Sequence, residues 1–99
     1  LVLRYEDLHE RPEETFASLV EHLGMPVDDE RLARAIRFSS FEEVSRQESK
    51  ASFVEKSPIS ERFFSVGRAG QWEEALPPDL AERIRRDHGA VMKQHGYLR

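Results

Sequence analysis

Apolar positions recur at helical spacing through much of the chain, most clearly between Pro12 and Gly24. One face of that stretch carries apolar side chains at i, i+3, i+4 and i+7: Phe16, Leu19, Val20 and Leu23. Pro12 suits the first turn of a helix, and Glu13 and Glu14 place negative charge at the positive end of its dipole. Gly24 can adopt the left-handed conformation that ends a helix. The pattern therefore predicts a helix over residues 12–23.

Two more helices are predicted downstream from their capping residues. Asp28 is a good N-cap for the second helix, whose buried side would carry three apolar residues: Leu32, Ala35 and Ile36. Ser40 and Glu43 have the S-x-x-E spacing of a capping box, which predicts a third, short helix. Residues 46–60 are polar, rich in serine and without a period, so we interpret them as a loop.

The two ends of the chain carry different patterns. The apolar run at residues 1–5 is compatible with a buried strand entered partway along, so we expect the chain to begin inside a longer protein. A last helix is predicted from Pro78 to about Gln94, with Gly96 as its stop and four buried residues: Leu80, Ile84, Val91 and Met92. The predicted fold is mainly α with one short N-terminal strand.

Composition narrows the possible functions. The chain has 99 residues, which suits one small domain or a piece of a larger one, and its net charge of −4 argues against a nucleic-acid partner. It contains no cysteine, which excludes disulfides and thiolate metal sites and favours a cytoplasmic protein. No apolar run approaches the ~20 residues that span a bilayer, so we expect no membrane segment.

Tyr5, in the segment YEDL, is the first residue with candidate chemistry. It follows the predicted strand, and ligands bind beside the carboxyl ends of strands in open α/β sheets. A tyrosine there can stack on a base or form a hydrogen bond with it. The alternative is a tyrosine that seals the core.

The segment FSSFEEV is the second candidate. A helix N-terminus presents unpaired N–H groups to a phosphate, and the hydroxyls of Ser39 and Ser40 add donors at the same point. Phe41 adds an aromatic face. The alternative is simple capping by Ser40, with Phe41 packed inward.

The segment RFFSVGRAGQW, residues 62–72, is the third candidate. Gly67 and Gly70 permit positive φ and a close approach of the main chain to a ligand, and Arg68 lies between them. Arg68 can offer a guanidinium fork to a phosphate, and two aromatic residues precede it: Phe63 and Phe64. We expect Trp72 to anchor this loop in the core. The alternative is a tight turn with a surface arginine.

Other kinds of site find no support in the sequence. The four histidines show no spacing with carboxylates that is typical of a metal site. There is no P-loop motif, no nucleophile elbow and no dinucleotide fingerprint. The chemistry of the chain therefore rests on the three candidate segments.

Taken in order, these segments resemble the C-terminal part of the sulfotransferases, which use 3′-phosphoadenosine 5′-phosphosulfate (PAPS). The resemblance runs from Tyr5 through a helix ending in LG, then SSFE, then an aromatic–Gly–x–x–Gly–x–Trp stretch, to the terminal HGYLR. It implies a P-loop-like α/β three-layer fold of which residues 1–99 are the C-terminal segment. It also implies transfer of a sulfuryl group from PAPS to an acceptor hydroxyl or amine.

The resemblance also implies the cofactor-binding residues. Tyr5 corresponds to the family's adenine contact; Ser39, Ser40 and Phe41 correspond to its adenosine contacts, and Val44 lines the same pocket. The family wraps backbone and basic side chains around the 3′-phosphate at positions that correspond to residues 65–72, with aromatic or apolar residues just before. In the present chain those positions include Phe63, Phe64, Ser65, Val66, Gly67 and Arg68.

The chain departs from the family pattern in one respect and leaves other readings open. Ser65 and Val66 stand where the family has an arginine–lysine pair, and we expect Arg68, with Arg62, to replace those cations. The family's 5′-phosphosulfate loop and catalytic histidine lie upstream of the YED segment, so we assign no catalytic residue here. The expected partners are the N-terminal remainder of the domain and a small-molecule acceptor. The alternatives are a helical interaction module, with Phe41, Phe63 and Phe64 as its docking face, and a nucleotide-binding relative without activity.

Overall fold

The computed structural model describes residues 1–98, and within that range the chain is mainly helical and contains no strand. Six helices follow one another there: α1 Tyr5–Glu10, α2 Pro12–His22, α3 Asp29–Phe38, α4 Phe41–Ala51, α5 Trp72–Ala75 and α6 Pro78–Gln94. The chain divides into two compact units, of which the first is Leu1–Ala69 and the second begins at Gly70. In the first unit, successive helices from α1 to α4 pack against each other in chain order.

The predicted boundaries of three helices are confirmed. α2 begins at Pro12, and Gly24 has the positive φ of 74° expected of a residue that ends a helix. The Asp28 carboxylate caps α3 by accepting a hydrogen bond from the backbone N–H of Arg31 at 3.1 Å. α6 ends at Gln94, and Gly96 follows with a φ of 79°.

The predicted N-terminal strand is not confirmed. Residues 1–4 adopt no regular structure, and Tyr5 opens α1 instead of ending a strand. A strand needs a hydrogen-bonding neighbour, and residues 1–98 contain no other strand to supply one. The charges of the following segment favour a helix, because Arg11 donates to the Asp7 carboxylate at 2.9 Å across one helical turn.

The predicted loop at residues 46–60 was wrong in its first part, because α4 continues to Ala51. The polar residues there stabilise the helix through pairs along its surface: Arg46 and Gln47 both donate to the Glu43 carboxylate, at 2.5 and 2.8 Å. Residues 46–50 are polar and show no obvious period because this part of α4 is largely exposed to solvent. Ser52, which follows Ala51 and has a φ of 63°, terminates α4.

The core is thinner than the apolar stripes predicted. Among the described residues, only Thr15 and Ala81 are buried, while Phe16, Leu19 and Val20 are half-buried. The prediction of buried Leu80, Ile84 and Val91 on α6 was wrong, as was that of Ala35 on α3, since all of these are exposed; Leu23, on the apolar stripe of the preceding helix, is exposed as well. The described part of the second unit contains only α5 and α6, so long apolar side chains find few neighbours within it.

The prediction that Trp72 is a core anchor was also wrong. Trp72 opens the four-residue helix α5, and 46% of its surface is exposed. The guanidinium of Arg85 on α6 lies over the indole ring at 5.5 Å from its centroid. The tryptophan is therefore held by a cation–π contact within the second unit.

Thr15 joins α1 to α2 through its buried hydroxyl. Its Oγ1 lies 2.7 Å from the carbonyl oxygen of Arg11 and 3.1 Å from that of Asp7, so its single proton is shared between the ends of two helices. Each carbonyl also accepts a backbone N–H, Asp7 from Arg11 at 2.9 Å and Arg11 from Thr15 at 3.0 Å, so the hydroxyl offers a second donor to both.

Replacing Thr15 with Val should remove this donor while keeping the side-chain volume. We expect the free energy of unfolding to fall by about 1 kcal/mol, because two partly buried carbonyls lose a hydrogen bond. Urea denaturation followed by circular dichroism would measure the change. Thr15→Ser keeps the hydroxyl and is the matched control; equal stability of Thr15→Val and the wild type would contradict the assignment.

Candidate functional site

An open cavity of about 620 Å³ lies within the first unit, where α1 and α2 meet the α3–α4 junction and the loop that follows Arg62. Most of its lining is apolar or aromatic: Tyr5, Leu8, Pro12, Phe16, Ile36, Phe41, Val44 and Phe64. The remaining lining is polar or backbone: His9, Ser39, Ser40, Glu42 and Gly67. A mostly apolar cleft with a few polar groups is typical of small-molecule sites.

The cavity brings together residues from all three candidate segments. Tyr5 comes from the first segment; Ser39, Ser40, Phe41 and Val44 come from the second, and Phe64 and Gly67 from the third. The resemblance implies that these residues contact one nucleotide, and the cavity brings them together. Their convergence is the main structural finding about the site.

Tyr5 and His9 stand side by side on α1. Their rings are in edge contact, with centroids 4.5 Å apart and planes at 67°. The spacing i, i+4 places both on one face of the helix, and both line the cavity. Tyr5 remains 46% exposed, so one side of its ring is open to a ligand.

The serines at the α3–α4 junction end one helix and begin the next. Ser39 Oγ donates to the carbonyl of Ala35 at 2.8 Å, at the end of α3. Ser40 Oγ caps α4 by accepting from the N–H of Glu43 at 3.3 Å, which leaves its own proton able to reach the cavity. Capping and lining the cavity are therefore compatible roles for Ser40.

The predicted capping box is only half formed. The Ser40 side of the pair is present, but the Glu43 carboxylate is engaged by Arg46 and Gln47. The hydrogen bond from Arg46, followed by that from Gln47, lowers the pKa of Glu43 below its ordinary value. Glu43 is thus a surface residue of α4 and does not line the cavity.

Gly67 lines the cavity and lies directly against Phe41. Its φ is +65°, and a Cβ built on it would overlap the Phe41 ring. Two independent constraints therefore require glycine here: the left-handed backbone and the absence of space for a side chain.

The loop that carries Phe64 and Gly67 is attached to α4. The carboxylate of Glu48 accepts from the backbone N–H groups of Phe63 and Phe64, at 2.5 and 2.9 Å. Arg62 donates to Ser45 Oγ at 2.9 Å. The Phe63 and Phe64 rings pack on Phe53 and on each other, with centroids 4.6 to 5.2 Å apart.

These hydrogen bonds also change the acidity of Glu48. The bond from Phe63 and then that from Phe64 lower its pKa, and the positive charges of Lys56 and Arg62 act in the same direction. Stability that comes from a lowered carboxylate pKa is present above the ordinary value and is lost as the pH falls through the lowered one. The attachment of the loop is therefore strongest near neutral pH.

Some predicted site residues do not line this cavity. Phe63 belongs to the aromatic cluster with Phe53, and Ser65, Val66 and Arg68 are exposed. Arg62 is engaged with Ser45 on α4. Any role of these residues in binding a nucleotide stays a prediction.

The sequence analysis missed several lining residues. His9 and Leu8 were overlooked because the segment after Tyr5 was not recognised as a helix, although the Tyr5–His9 spacing of i, i+4 would have indicated the pair. Phe16 and Ile36 were assigned to the core, and each also faces the cavity. Glu42 also lines the cavity and was not considered as a site residue.

Within residues 1–98, no group of three or more potential ligands is placed to hold a metal ion. No helix in that range combines the length and apolar character needed to cross a bilayer.

Comparison with known proteins gives one match. A family model described as the sulfotransferase domain matches residues 1–96 of the 99-residue chain. No match was found among curated proteins or among solved structures. The segments that converge on the cavity all lie within the matched range.

Replacing Gly67 with Ala should destabilise the first unit more than the same change at Gly70 does in the second. Gly70 also has a positive φ, of 78°, but a Cβ there would meet no atom within 4 Å, so Gly70→Ala isolates the backbone strain of roughly 1–2 kcal/mol. Gly67→Ala adds the overlap with Phe41, so its loss in free energy of unfolding should exceed that of Gly70→Ala by about 1 kcal/mol or more. Urea denaturation measures both; equal losses would show that Phe41 does not constrain Gly67.

Proposed function

We propose that this chain, which belongs to the sulfotransferase domain family, holds the nucleoside part of the sulfuryl donor PAPS in the cavity lined by Tyr5, Phe41 and Gly67. Membership of the family indicates a sulfotransferase-type function. The observation that carries the finer proposal is the convergence of three distant segments on one cavity. We also propose that this chain is the C-terminal part of the sulfotransferase domain.

The size and lining of the cavity fit an aromatic base. Its volume of about 620 Å³ falls within the roughly 300–1,000 Å³ of small-molecule sites. Tyr5, Phe41 and Phe64 supply ring faces, and a ring system stacks on such faces without depending on exact hydrogen bonding. Because Gly67 has no side chain, Phe41 can lie against the loop and leave the cavity open.

The polar groups indicate which part of the nucleotide lies where. Ser40 caps the N-terminus of α4, where N–H groups and the helix dipole favour an acceptor atom. Glu42 lines the same cavity, and its carboxylate would repel a phosphate while accepting a hydrogen bond from a ribose hydroxyl or a base amino group. A neutral nucleoside therefore fits this end better than a phosphate does.

The 3′-phosphate would then lie towards the loop after Gly67. Arg68 follows Gly67 directly and is exposed. Of the two arginines expected to replace the family's cationic pair, Arg68 is the better candidate because it adjoins a residue that lines the cavity. A charge-assisted hydrogen bond to a phosphate contributes roughly 1.5–3 kcal/mol.

The chemistry of transfer belongs to the donor and to an acceptor group. When bound, PAPS supplies an activated sulfuryl group, and its transfer to a hydroxyl or an amine leaves adenosine 3′,5′-bisphosphate. The residues described above bind and orient the nucleotide, and orientation is a large part of catalysis by group transfer. We assign no proton transfer to any of them.

Two other functions were considered. A docking face made of Phe41, Phe63 and Phe64 is disfavoured, because Phe41 lies against Gly67 and the other two pack on Phe53. A nucleotide-binding relative that transfers no sulfate is favoured by one observation, the presence of Ser65 and Val66 in place of the cationic pair. Binding of the nucleotide without turnover would distinguish it.

Removing the ring of Tyr5 should weaken binding of adenosine 3′,5′-bisphosphate to the full-length protein. Loss of one stacking face costs roughly 1–3 kcal/mol, so we expect Kd to rise about tenfold or more in Tyr5→Ala, by isothermal titration calorimetry. Tyr5→Phe keeps the ring and should bind nearly as well as the wild type. Phe38→Ala removes an exposed ring that does not line the cavity and should not alter Kd; an unchanged Kd in Tyr5→Ala would contradict the site.

Replacing Arg68 with Ala should raise Kd for the same nucleotide by about tenfold or more, because the 3′-phosphate loses a charge-assisted partner. Adenosine 5′-phosphate, which has no 3′-phosphate, should bind the wild type and Arg68→Ala equally. Arg34→Ala removes an exposed charge from α3 and serves as the control for net charge. The proposal for Arg68 would be wrong if the two nucleotides lost affinity to the same extent.

A further inference from the structure

Glu48 is the polar residue that attaches the cavity loop to α4. Its carboxylate accepts two hydrogen bonds from consecutive backbone N–H groups, those of Phe63 and Phe64. These residues lie 15 and 16 positions away in the sequence, so the contact closes a long segment onto the helix. A carboxylate suits this task because it accepts at both oxygens and has no proton to turn towards a donor.

The groups around Glu48 are complementary to its charge. Lys56 and Arg62, both on the attached segment, contribute positive charge, and each is itself held in place. Lys56 Nζ donates to the carbonyl of Glu61 at 3.3 Å, and Arg62 donates to Ser45 Oγ at 2.9 Å. The segment is therefore anchored to α4 by a cluster of contacts in which Glu48 supplies the two bonds to the main chain.

The two attached N–H groups are next to the wall of the cavity. Phe64 lines the cavity itself, and Gly67, three residues further on, is the point where the loop meets Phe41. Glu48 does not line the cavity and would not touch a ligand there. A shift of the Phe63–Phe64 backbone would move the Phe64 ring and change the approach of Gly67 to Phe41.

We propose that Glu48 is a positioning residue for the nucleotide site, which it shapes by fixing the backbone of Phe63 and Phe64 and thereby the wall from Phe64 to Gly67. The inference rests on the proposed function, because the cavity is the site that it positions. It assigns to Glu48 an effect on nucleotide affinity although the side chain does not contact the nucleotide.

Glu43 provides a matched control on the same helix. It too is a glutamate of α4 with a lowered pKa, but its partners are the side chains of Arg46 and Gln47 within the helix. Glu43→Gln and Glu48→Gln therefore remove the same charge from the same element. Only the second change removes an acceptor from the loop, because a glutamine has one acceptor oxygen and its NH₂ group would face a second N–H donor.

The test measures affinity for adenosine 3′,5′-bisphosphate in the full-length protein by calorimetry and hydrogen exchange at residues 62–67 by mass spectrometry. Glu48→Gln should raise Kd on the order of tenfold and speed exchange at residues 62–67. Glu43→Gln should leave both within about twofold of the wild type. Faster exchange in Glu48→Gln with an unchanged Kd would overturn the proposal, as would equal effects of the two variants.

A second measurement needs no variant. Backbone amide resonances of Phe63 and Phe64 in the wild type should move as the pH is lowered through the pKa of Glu48, because protonation removes an acceptor from their N–H groups. Amides that do not respond to this titration would overturn the proposal even if Glu48→Gln failed to fold.

Failure of the proposed function and failure of this inference can be told apart. If the wild type bound no bisphosphate, the proposed function would fail and the inference with it. If the wild type and Glu48→Gln bound it equally well, only the inference would be overturned.

Discussion

The contact between the Phe41 ring and the backbone of Gly67 is the constraint on which the site depends. It joins the start of α4 to a loop that follows 26 positions later, and it tolerates no side chain at the glycine. Because the ring rests on bare main chain, Phe41 and Gly67 form one continuous wall of the cavity. The positive φ of Gly67 turns the loop into this contact. Packing against Phe41 and the positive φ thus each require a glycine at position 67.

The rest of the first unit keeps that contact in place through hydrogen bonds rather than through a large core. Thr15 joins α1 to α2, Ser39 and Ser40 form the α3–α4 junction, and Glu48 holds the returning loop. Only Thr15 and Ala81 are buried among the described residues, so hydrophobic burial alone gives these elements little stability. The geometry of a site built in this way depends on individual polar side chains, which is why Glu48 matters although it lies outside the cavity.

Local patterns predicted the parts of this molecule that depend on local forces. Asp28, Gly24 and Gly96 act within one turn of their own position, and each marks the helix boundary that its residue type indicates. Predictions that needed a distant partner were less successful. The strand at residues 1–5 needed a neighbouring strand, and Trp72 and Leu80 needed a facing apolar surface to be buried. Polarity misled the analysis at residues 46–51, where pairs along the surface of α4 stabilise a helix that has little apolar face.

The sequence by itself determined α2, α3, α6 and the start of α4, the family, and about half of the residues around the cavity, because capping groups, glycine and motif order are properties of short segments. It did not show that His9 and Glu42 join Tyr5, Phe41 and Gly67 around one cavity. Only the tertiary structure decided which side chains meet, because the bonds from Glu48 to Phe63 and Phe64 span a segment whose own residues carry no periodic signal. Contacts between residues so far apart in the sequence depend on where the helices end and how they pack, so no local sequence pattern predicts them.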